Sequence, residues 1–598
     1  MNWVQQINPF GNSFISALVA FAPIAIIFWA LVVRKMKGYQ ASILALSSSL
    51  VIAIFSYRMP LNLAFLSAFH GGLYGLFPIC WIVIAAVFMF NISVKSGQLQ
   101  VIKYFIASIT PDKRLQLLLI AFSFGSFLEG TAGFGAPVVI TAAMLVGLGF
   151  NPLYAGGLCL IANTAPVAFG SIGIPITVAS QVSGIPEMAI SQMVGRTLPI
   201  ISLVLPFYLV IILCGLKKTI EVWPAILVSG ISFAFLQWFS SNYLSPMLPD
   251  VLAGIGSILS LILFLRFWRP AKVWKFSQAS ELVVIKDPIY TNGEVLKAWS
   301  PFIILTTIVI AWGIPSIKDV LNSIGSVQFA IPYLHNRIQT ASGSLLSQVF
   351  KFNYLTASGT AIFISALIAI PLTGISFREG LKILIATIKQ LRYSILTVVT
   401  VMAFAFTLNN AGISNTLASV LANTGILFPF FAPILGWLGV FITGSDTSSN
   451  ALFCKLQYVT ANSVGIDPVV TVSANATGGV VGKMISPQSI AVAAAAGDLA
   501  GQESAFFRFT LRHSFLFLFF VCILTLAQAY LFTWLIPVYQ TISAKENLVQ
   551  PNLVKGIIYL FLFIIILILI IIAIKRQLKK DVKQRADFAN EGFNFSNK

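Results

Sequence analysis

Two glycine-rich stretches place a carboxylate inside long apolar regions of the chain. The first runs from Glu129 to Pro137 and reads EGTAGFGAP; the second runs from Gly444 to Asn450, reads GSDTSSN and has its carboxylate at Asp446. A charge at the centre of a bilayer costs about 2.5–3.5 kcal/mol on insertion scales. A buried carboxylate can gain and lose a proton near neutral pH. Glu129 and Asp446 are therefore candidates for proton coupling; the alternative is that each is a permanently hydrogen-bonded strut.

Each glycine-rich stretch is followed by an apolar span that cannot be one straight helix. The spans 153–182 and 468–497 contain prolines and glycines together with asparagine and threonine. Proline removes a backbone donor and glycine weakens a helix interior, and an unwound centre exposes helix N-termini that attract anions. A kinked packing helix is the alternative interpretation. The polar residues that we expect to bind an anionic substrate are Thr131, Asn163, Thr164, Ser445, Thr447, Asn475, Thr477 and Lys483.

Three further polar residues lie in or near these apolar segments. Lys483 is the cation inside the second broken span, where it pairs either with a substrate carboxylate or with Asp446. Lys455 is closer to a membrane interface, where a lysine can extend its ammonium group into water. His70 is expected in a loop at the outer mouth, with a proton relay as the less favoured role.

The sequence lacks the motifs of a membrane-embedded enzyme. Gly482-Lys-Met-Ile-Ser differs from a P-loop, because no Ser or Thr follows the lysine directly and the upstream glycine spacing is wrong. The glycines from Gly130 to Gly135 lack the strand-turn-helix context of a dinucleotide site. The five cysteines are scattered through apolar runs without a CxxC pair. We therefore expect no enzymatic activity, no cofactor, no metal and no disulfide.

Composition places the chain in the membrane. Of its 598 residues 58% are hydrophobic and only 9% are charged, with a mean hydropathy of +0.92, whereas soluble domains have roughly 25% charged residues. The net charge of +19 comes from short basic clusters between apolar runs. That pattern is typical of cytoplasmic loops facing anionic lipid headgroups, so membrane lipids rather than nucleic acid are the expected partners. The N-terminus lacks the basic residues of a cleavable signal peptide.

The distribution of Lys and Arg predicts the orientation of the spans. The apolar runs indicate 13 full spans, the last near 553–574, and two helical hairpins around the glycine-rich stretches, which corresponds to about 12–14 spans. With the N-terminus outside, 28 of the 37 Lys and Arg residues lie in cytoplasmic segments and seven lie outside. This positive-inside bias predicts a periplasmic N-terminus and a cytoplasmic C-terminus.

The halves share landmarks in the same order. Asn91 and Asn409 each end a span, the glycine-rich stretches follow, and Asn163 and Asn475 come after those. The charge distribution puts Asn91 and Asn409 at opposite faces of the membrane, as inverted-topology repeats require. We therefore predict an all-α polytopic membrane protein with two inverted repeats, broken helices and helical hairpins. Its predicted parts are a first repeat at 1–248, a linker span and cytoplasmic loop at 249–299, a second repeat at 300–575 and a cytoplasmic tail at 576–598.

These same motifs resemble the bacterial L-lactate permease family. The similarity is carried by the stretches that begin at Phe127, Asn163, Gly444 and Gly478, and it extends from about residue 10 to 575. The resemblance implies uptake of L-lactate, and often of D-lactate and glycolate, by proton symport across the inner membrane. It does not assign a role to any one side chain, and it is weakest at about 270–350.

Together these patterns predict a secondary active transporter that moves a small 2-hydroxymonocarboxylate with protons. The alternatives are a transporter of another small organic anion, a selective anion channel and a membrane-embedded enzyme. A channel needs a continuous pore with rings of charge, whereas the intramembrane charges here are single. The sequence leaves stereospecificity, proton stoichiometry and oligomeric state open.

Overall fold

The computed structural model describes residues 2–34, 36–133, 135–276, 290–340, 343–499 and 502–540. These residues are mostly helical, and their few strands form two small sheets. The predicted helical membrane fold is confirmed. The predicted span 553–574, the tail 576–598 and most of the basic loop before Asn292 lie outside the described residues.

The described residues contain ten helical segments that are long and apolar enough to cross a membrane, or eleven if one bent pair of helices counts as a single span. The bent pair, Pro152–Ala162 and Val167–Ser183, turns by 64° at its break, as the prolines and glycines of this span predict. Shorter apolar helices occupy Ala136–Gly147 and Ser358–Leu372. The sequence estimate of 12–14 spans is higher because it includes the runs at 355–374, 468–497 and 553–574, which are not among these segments.

The helices before residue 270 run almost without interruption, and π-helical segments join several of them at Trp29–Val33, Ile52–Ser56, Gly75–Cys80 and Leu118–Phe124. In chain order they are α1 (Ser13–Phe28), α2 (Gly38–Val51), α3 (Leu61–Tyr74), α4 (Trp81–Lys95), α5 (Gln98–Ser108), α6 (Lys113–Leu117), α7 (Gly125–Thr131), α8 (Ala136–Gly147), α9 (Pro152–Ala162), α10 (Gly170–Ser183), α11 (Glu187–Cys214), α12 (Leu216–Ile220), α13 (Trp223–Tyr243) and α14 (Pro249–Phe267).

The later helices are α15 (Asn292–Gly313), α16 (Pro315–Gly325), α17 (Ser358–Leu372), α18 (Phe377–Ala411), α19 (Ile413–Leu421), α20 (Phe428–Thr443), α21 (Asp446–Ser463), α22 (Pro468–Lys483), α23 (Pro487–Ala496) and α24 (Glu503–Tyr530). Short 3₁₀ turns lie at Val167–Phe169, Ala422–Leu427 and Thr533–Leu535. Strand β1 (Trp3–Val4) pairs in parallel with β3 (Ile338–Gln339), and β2 (Val327–Ala330) pairs antiparallel with β4 (Val349–Phe352).

The order and lengths of the helices recur along the chain. The segment Leu61–Lys95, which contains α3 and α4, and helix α18 are each 35 residues long, and each is followed by a short helix. Two helices separated at a glycine-rich stretch come next in both halves, followed by a broken pair. Helices α11 and α24 then have 28 residues each.

Equivalent turns use the same residue types. Gly149-Phe-Asn-Pro precedes α9, and Gly465-Ile-Asp-Pro precedes α22. Both glycines have left-handed backbone, with φ of 87° and 72°, which glycine adopts without steric cost. The Asn151 and Asp467 side chains then cap the helix, and a proline occupies its first turn, the usual chemistry of a helix start.

The two 35-residue segments pack side by side in opposite directions. Near one end, the Asn410 amide donates to the Ser67 hydroxyl at 2.9 Å, and near the other the Asn91 amide donates to the Thr387 hydroxyl at 2.8 Å. Residue numbers therefore rise along α3 and α4 while they fall along α18. Equivalent segments that run antiparallel are the arrangement expected of an inverted repeat.

A buried arginine cluster ties three segments together at one end of the bundle. The Arg114 guanidinium is fully buried and donates to Asp112 at 2.7 Å and to Glu221 at 2.8 Å, and it also donates to the backbone carbonyls of Lys218 and Lys272. Hydrogen bonds from Lys218 and Arg114 lower the pKa of the Glu221 carboxyl. Every donor direction of the guanidinium fork is used, which is the condition for a buried charge to be tolerated.

Arg114→Ala is expected to lower the free energy of unfolding by about 3–5 kcal/mol, because it leaves Asp112 as an uncompensated buried charge. Unfolding in detergent, followed by heat or denaturant, measures this loss. Lys218→Ala is the control: the Lys218 side chain is 46% exposed, so about 1 kcal/mol or less is expected. Equal losses for the two variants would mean that the Arg114 cluster does not stabilise the fold.

Candidate functional site

The breaks of both halves meet around one small cavity. It has a volume of about 80 Å³ and lies where the two glycine-rich stretches approach α10, α22 and α23. A water molecule needs roughly 10–15 Å³ on this measure, so the cavity accommodates several waters or one small solute. Its lining residues are Glu129, Gly135, Gly170, Ser171, Pro175, Gly444, Ser445, Asp446, Thr447, Lys483, Gln488, Ser489 and Val492.

Several helices begin at this cavity. Gly135 precedes α8, Ser445 is the N-cap of α21, and Ser486 is the N-cap of α23, whose first turn supplies Gln488 and Ser489 to the lining. The first turn of a helix has backbone N–H groups without intrahelical partners, and its dipole favours negative charge. Their convergence gives the cavity the polarity of an anion-binding site.

The first turn of α10 has an unusual backbone. Ser171, Ile172 and Gly173 have φ values of 48°, 57° and 73°, and a β-branched residue such as Ile172 rarely adopts this left-handed conformation. Such strain persists only where the surrounding structure imposes it, and it concentrates at functional sites. The Ser171 hydroxyl donates to the Ala132 carbonyl at 3.4 Å, which ties the strained turn to the first glycine-rich stretch.

One ion pair joins the two halves at the cavity. The Lys483 ammonium donates to Glu129 Oε1 at 2.7 Å, and the side chains are 12% and 3% exposed. Of the two roles considered for Lys483, the ion pair with Asp446 is not found in this structure, where Glu129 takes that place. Lys483 comes from 354 positions further along the chain, so sequence proximity gave no sign of this pairing.

Gly170 makes room for this pair. A methyl group on Gly170 would lie 2.8 Å from Glu129 Oε1. Gly479 makes room for Asp446 in the same way, because a methyl group on Gly479 would overlap the Asp446 carboxylate. Each carboxylate thus packs against a glycine in the broken span of its own half.

Asp446 has a weaker set of partners. Its side chain is buried and accepts one long hydrogen bond, of 3.4 Å, from the Asn450 amide, while its Oδ1 atom has no partner among the described residues. The Asn450 amide also donates to the Pro175 carbonyl at 3.1 Å. The glycine-rich stretch of the second half therefore contacts the broken span of the first half. The Lys483–Glu129 pair is the reverse arrangement, in which the broken span of the second half contacts the glycine-rich stretch of the first.

The predicted site residues divide into two groups. Ser445, Thr447, Lys483, Glu129 and Asp446 line the cavity. The other five are buried outside its lining: Thr131, Asn163, Thr164, Asn475 and Thr477.

The second break does not lie where the sequence places it. Helix α22 is continuous through Asn475 and Thr477 and ends at Lys483, so the expectation that these two residues lie at a break is wrong. Asn475 donates to Asn450 Oδ1 at 2.9 Å and so supports the residue that holds Asp446. Asn163 does lie at a break, directly after α9, and its amide nitrogen and the Thr164 hydroxyl lack partners among the described residues.

Asp250 is a candidate that sequence reasoning missed. It lies in the first turn of α14, is fully buried, and neither of its carboxylate oxygens has a hydrogen-bond partner among the described residues. A methyl group on Gly130, the residue after Glu129, would lie 2.7 Å from Asp250 Cβ, so Asp250 packs against the segment that carries Glu129. The signal was available, because Asp250 is an acid at the start of the apolar run 249–266.

A larger cavity, of about 910 Å³, lies at the opposite ends of two of the site helices. It is lined by residues 181–184 at the end of α10 and by Lys455 and its neighbours in α21. Lys455 is nine positions after Asp446, which is about 14 Å along a helix. Its ammonium lies 4.8 Å from the centre of the Tyr458 ring. The two cavities are therefore connected by one pair of packed helices.

His70 also lines this larger cavity, but not as part of a loop. It is a buried residue of α3, and its Nδ1 atom lies 2.9 Å from Gln348 Oε1. The expected loop position is therefore wrong. Among the described residues, no group of three or more His, Cys, Asp or Glu side chains could hold a metal ion.

Comparison with known proteins gives consistent matches over most of the chain. A family model described as L-lactate permease matches residues 16–532. The L-lactate permease of Bacillus subtilis (strain 168) is 51% identical over 563 residues, covering 90% of this chain and 100% of that protein. The glycolate permease GlcA of Escherichia coli (strain K12) is 49% identical over 554 residues, covering 89% and 99%. Among solved structures, MtrF of Neisseria gonorrhoeae aligns at 13% identity with a TM-score of 0.42, covering 75% of this chain and 81% of that one.

A double-mutant cycle tests the ion pair. Glu129→Gln and Lys483→Met should each lower the free energy of unfolding by about 3–5 kcal/mol, because each leaves one buried charge without its partner. The double variant should lose much less than the sum. Unfolding of the purified proteins in detergent measures all three, with Glu379→Gln, at an exposed residue, as the control. Additive losses would show that the two side chains do not interact.

Proposed function

The chain belongs to the L-lactate permease family, whose members are transporters and not enzymes, and we propose that it imports L-lactate, and with it D-lactate and glycolate, by proton symport across the bacterial inner membrane. The observation that carries this proposal is the Lys483–Glu129 ion pair at the small cavity. It supplies a cation for the substrate carboxylate and a carboxylate for the proton in the same contact.

The lining of the cavity suits a short 2-hydroxy acid. The substrate carboxylate faces Lys483 and the helix starts, where charge-assisted hydrogen bonds are strong. Hydroxyl groups of Ser171, Ser445 and Thr447 and the Gln488 amide are within the lining to receive the substrate hydroxyl. We propose direct contact for Lys483, Ser445 and Thr447. The predicted binding roles of Thr131, Asn163, Thr164, Asn475 and Thr477 would need another conformation, because these residues lie outside the lining.

The ion pair couples the two solutes by competition. When the substrate carboxylate takes Lys483 as its partner, Glu129 loses its counter-ion in a buried place. An unpaired buried charge is costly, so Glu129 takes up a proton. Release of the substrate frees Lys483, which pairs with Glu129 again and displaces that proton. Asp446 is the second candidate for the proton, since it lines the same cavity with one weak partner.

Proton symport also satisfies the energetics of uptake. An anion moving inward is opposed by the membrane potential at about 2.3 kcal/mol per charge per 100 mV. One proton taken up with each substrate makes the loaded site neutral relative to the empty one. The membrane potential then no longer opposes uptake, and the pH gradient drives it.

We further propose that the larger cavity is the outer vestibule. Lys455 is a cation at its wall, and α10 and α21 lead from it to the small cavity. This orientation follows the positive-inside bias, with a periplasmic N-terminus and a cytoplasmic C-terminus. It goes with two inverted repeats at 1–248 and 300–575, a linker at 249–299 and a tail at 576–598.

Reporter fusions test this orientation. A fusion after Lys218 should read cytoplasmic, because it follows a basic cluster. A fusion after Tyr333, between β2 and β3, should read periplasmic, because β3 pairs with β1 at the periplasmic N-terminus. Alkaline phosphatase and a fluorescent protein give opposite signals on the two sides. Fusions that report the same side at both positions would overturn the proposed topology.

Glu129→Gln tests the coupling. This variant keeps the side-chain shape but cannot exchange a proton, so lactate accumulation driven by an imposed pH gradient in proteoliposomes should fall at least tenfold. Counterflow of labelled lactate, which needs no net proton movement, should fall much less. Glu379→Gln is the control.

Two results would contradict the proposal. If the Glu129→Gln variant concentrates lactate as well as the control does, Glu129 does not carry the proton. If the wild-type protein shows no counterflow, the protein is not a carrier, and the anion-channel alternative gains support.

A further inference from the structure

We propose that Asp250 passes protons between Glu129 and a third cavity, whose lining shares no residue with that of the small substrate cavity. This inference rests on the proposed proton symport and adds a residue and a route to it. It starts from the position of Asp250, whose carboxyl is buried beside Glu129 but outside the lining of the substrate cavity.

Close packing holds Asp250 in place. Helix α14 lies directly against the segment that ends in Glu129, because glycines remove the side chains between them. A methyl on Gly254 would lie 2.7 Å from the Phe127 backbone nitrogen, and one on Gly130 would lie 3.1 Å from that of Val251. The Ser123 and Ser257 hydroxyls are 2.8 Å apart across the same contact. These contacts fix the position of the Asp250 backbone relative to the segment that carries Glu129.

The surroundings of Asp250 favour a neutral carboxyl. Both its oxygens lack hydrogen-bond partners among the described residues, and an isolated ionised carboxylate in such a place is strongly disfavoured. The charged groups that face it are Glu129 from α7 and Lys483 from α22, and these two pair with each other. Its other packing partners, α13 and the segment Leu118–Phe124, contain no Asp, Glu, Lys, Arg or His. A proton on Asp250 is the simplest way to satisfy this environment.

A water-accessible cavity is lined by the residues that precede Asp250 in the chain. This cavity, of about 630 Å³, is lined by residues 243–247, the segment that ends two positions before α14 begins. Its lining also includes Thr177 and Glu187, whose side chains are hydrogen-bonded to each other. Asp250 is therefore three positions along the chain from Met247, which lines this cavity, and packs against the segment that carries Glu129.

The transfer is a plain proton exchange. When the substrate takes Lys483, the O–H bond of Asp250 breaks and its proton passes to a bridging water, which gives up one of its own protons to the Glu129 carboxylate. Asp250 is left as a carboxylate and recovers a proton from water that enters from the 630 Å³ cavity. Charge and atoms balance, and no other co-reactant is needed.

Asp250→Asn tests the proposal in proteoliposomes. Asparagine keeps the shape of the neutral acid but cannot release a proton. Lactate accumulation driven by a pH gradient should fall at least tenfold relative to wild type, while counterflow should fall less than threefold. Asp319→Asn, at an exposed residue of α16, is the matched control. If Asp250→Asn accumulates lactate as the control does, Asp250 is a structural neutral acid and the proposal is wrong.

A second measurement covers the case in which Asp250→Asn does not fold. Met247→Cys places a thiol in the lining of the 630 Å³ cavity, where a bulky methanethiosulfonate reagent can block it. Modification should slow accumulation by at least fivefold and counterflow by less than twofold. Treated wild-type protein, in which Cys80, Cys159, Cys454 and Cys522 are buried, controls for the reagent. Equal inhibition of both activities would rule out a proton route through this cavity.

These measurements separate the two proposals. Wild-type protein that does not respond to the pH gradient would contradict proton symport itself. Wild-type protein that responds, together with Asp250→Asn protein that responds equally, would contradict only the role of Asp250.

Discussion

The structure depends on the cost of holding charges away from water. Glu129 and Lys483 are buried in the bundle, and neither has another charge as close as the 2.7 Å that separates them. A buried ion pair adds little net stability compared with apolar residues of the same size, but losing one partner is expensive. The pair therefore adds little to the net stability of the fold. It does keep Lys483 and Glu129 in contact while no other anion is present to pair with Lys483. A substrate carboxylate can replace Glu129 without leaving Lys483 unpaired.

The two halves provide this contact by crossing over each other. Helix α22 of the second half supplies Lys483 to the first glycine-rich stretch, and α21 supplies Asn450 to the broken span of the first half. Within the second half, α22 is held close to α20, because methyl groups on Gly436, Gly478 and Gly482 would overlap backbone atoms of the facing helix. A contact made across the repeats couples the movement of one half to that of the other, which a contact within one half could not do.

Much of the fold could be predicted from the sequence, because its signals are local or periodic. Apolar runs, prolines and glycines indicated the spans and the broken pair, and the carboxylates in glycine-rich stretches indicated five residues of the cavity. The pairing of Lys483 with Glu129 could not be predicted, since sequence distance says nothing about which repeat-related elements meet. The break after Lys483 was misplaced because Gly478 and Gly479 serve helix packing and not unwinding. Asp250 was missed because its span had been treated as a linker between the repeats.

The charges of the cluster determine how many protons the proposed coupling takes up with each substrate. Glu129, Asp250 and Asp446 are three carboxyls around one ammonium, Lys483, so full ionisation would give a net charge of −3 + 1 = −2. In a buried site two protons restore neutrality. If Glu129 is the coupling residue, it is ionised and paired with Lys483, and Asp250 and Asp446 hold these two protons. One substrate anion adds one negative charge, and a third proton cancels it. On this argument, the number of substrate charges sets the number of protons taken up, and a substrate with two carboxylates would need a second proton that the cluster has no further carboxyl to hold.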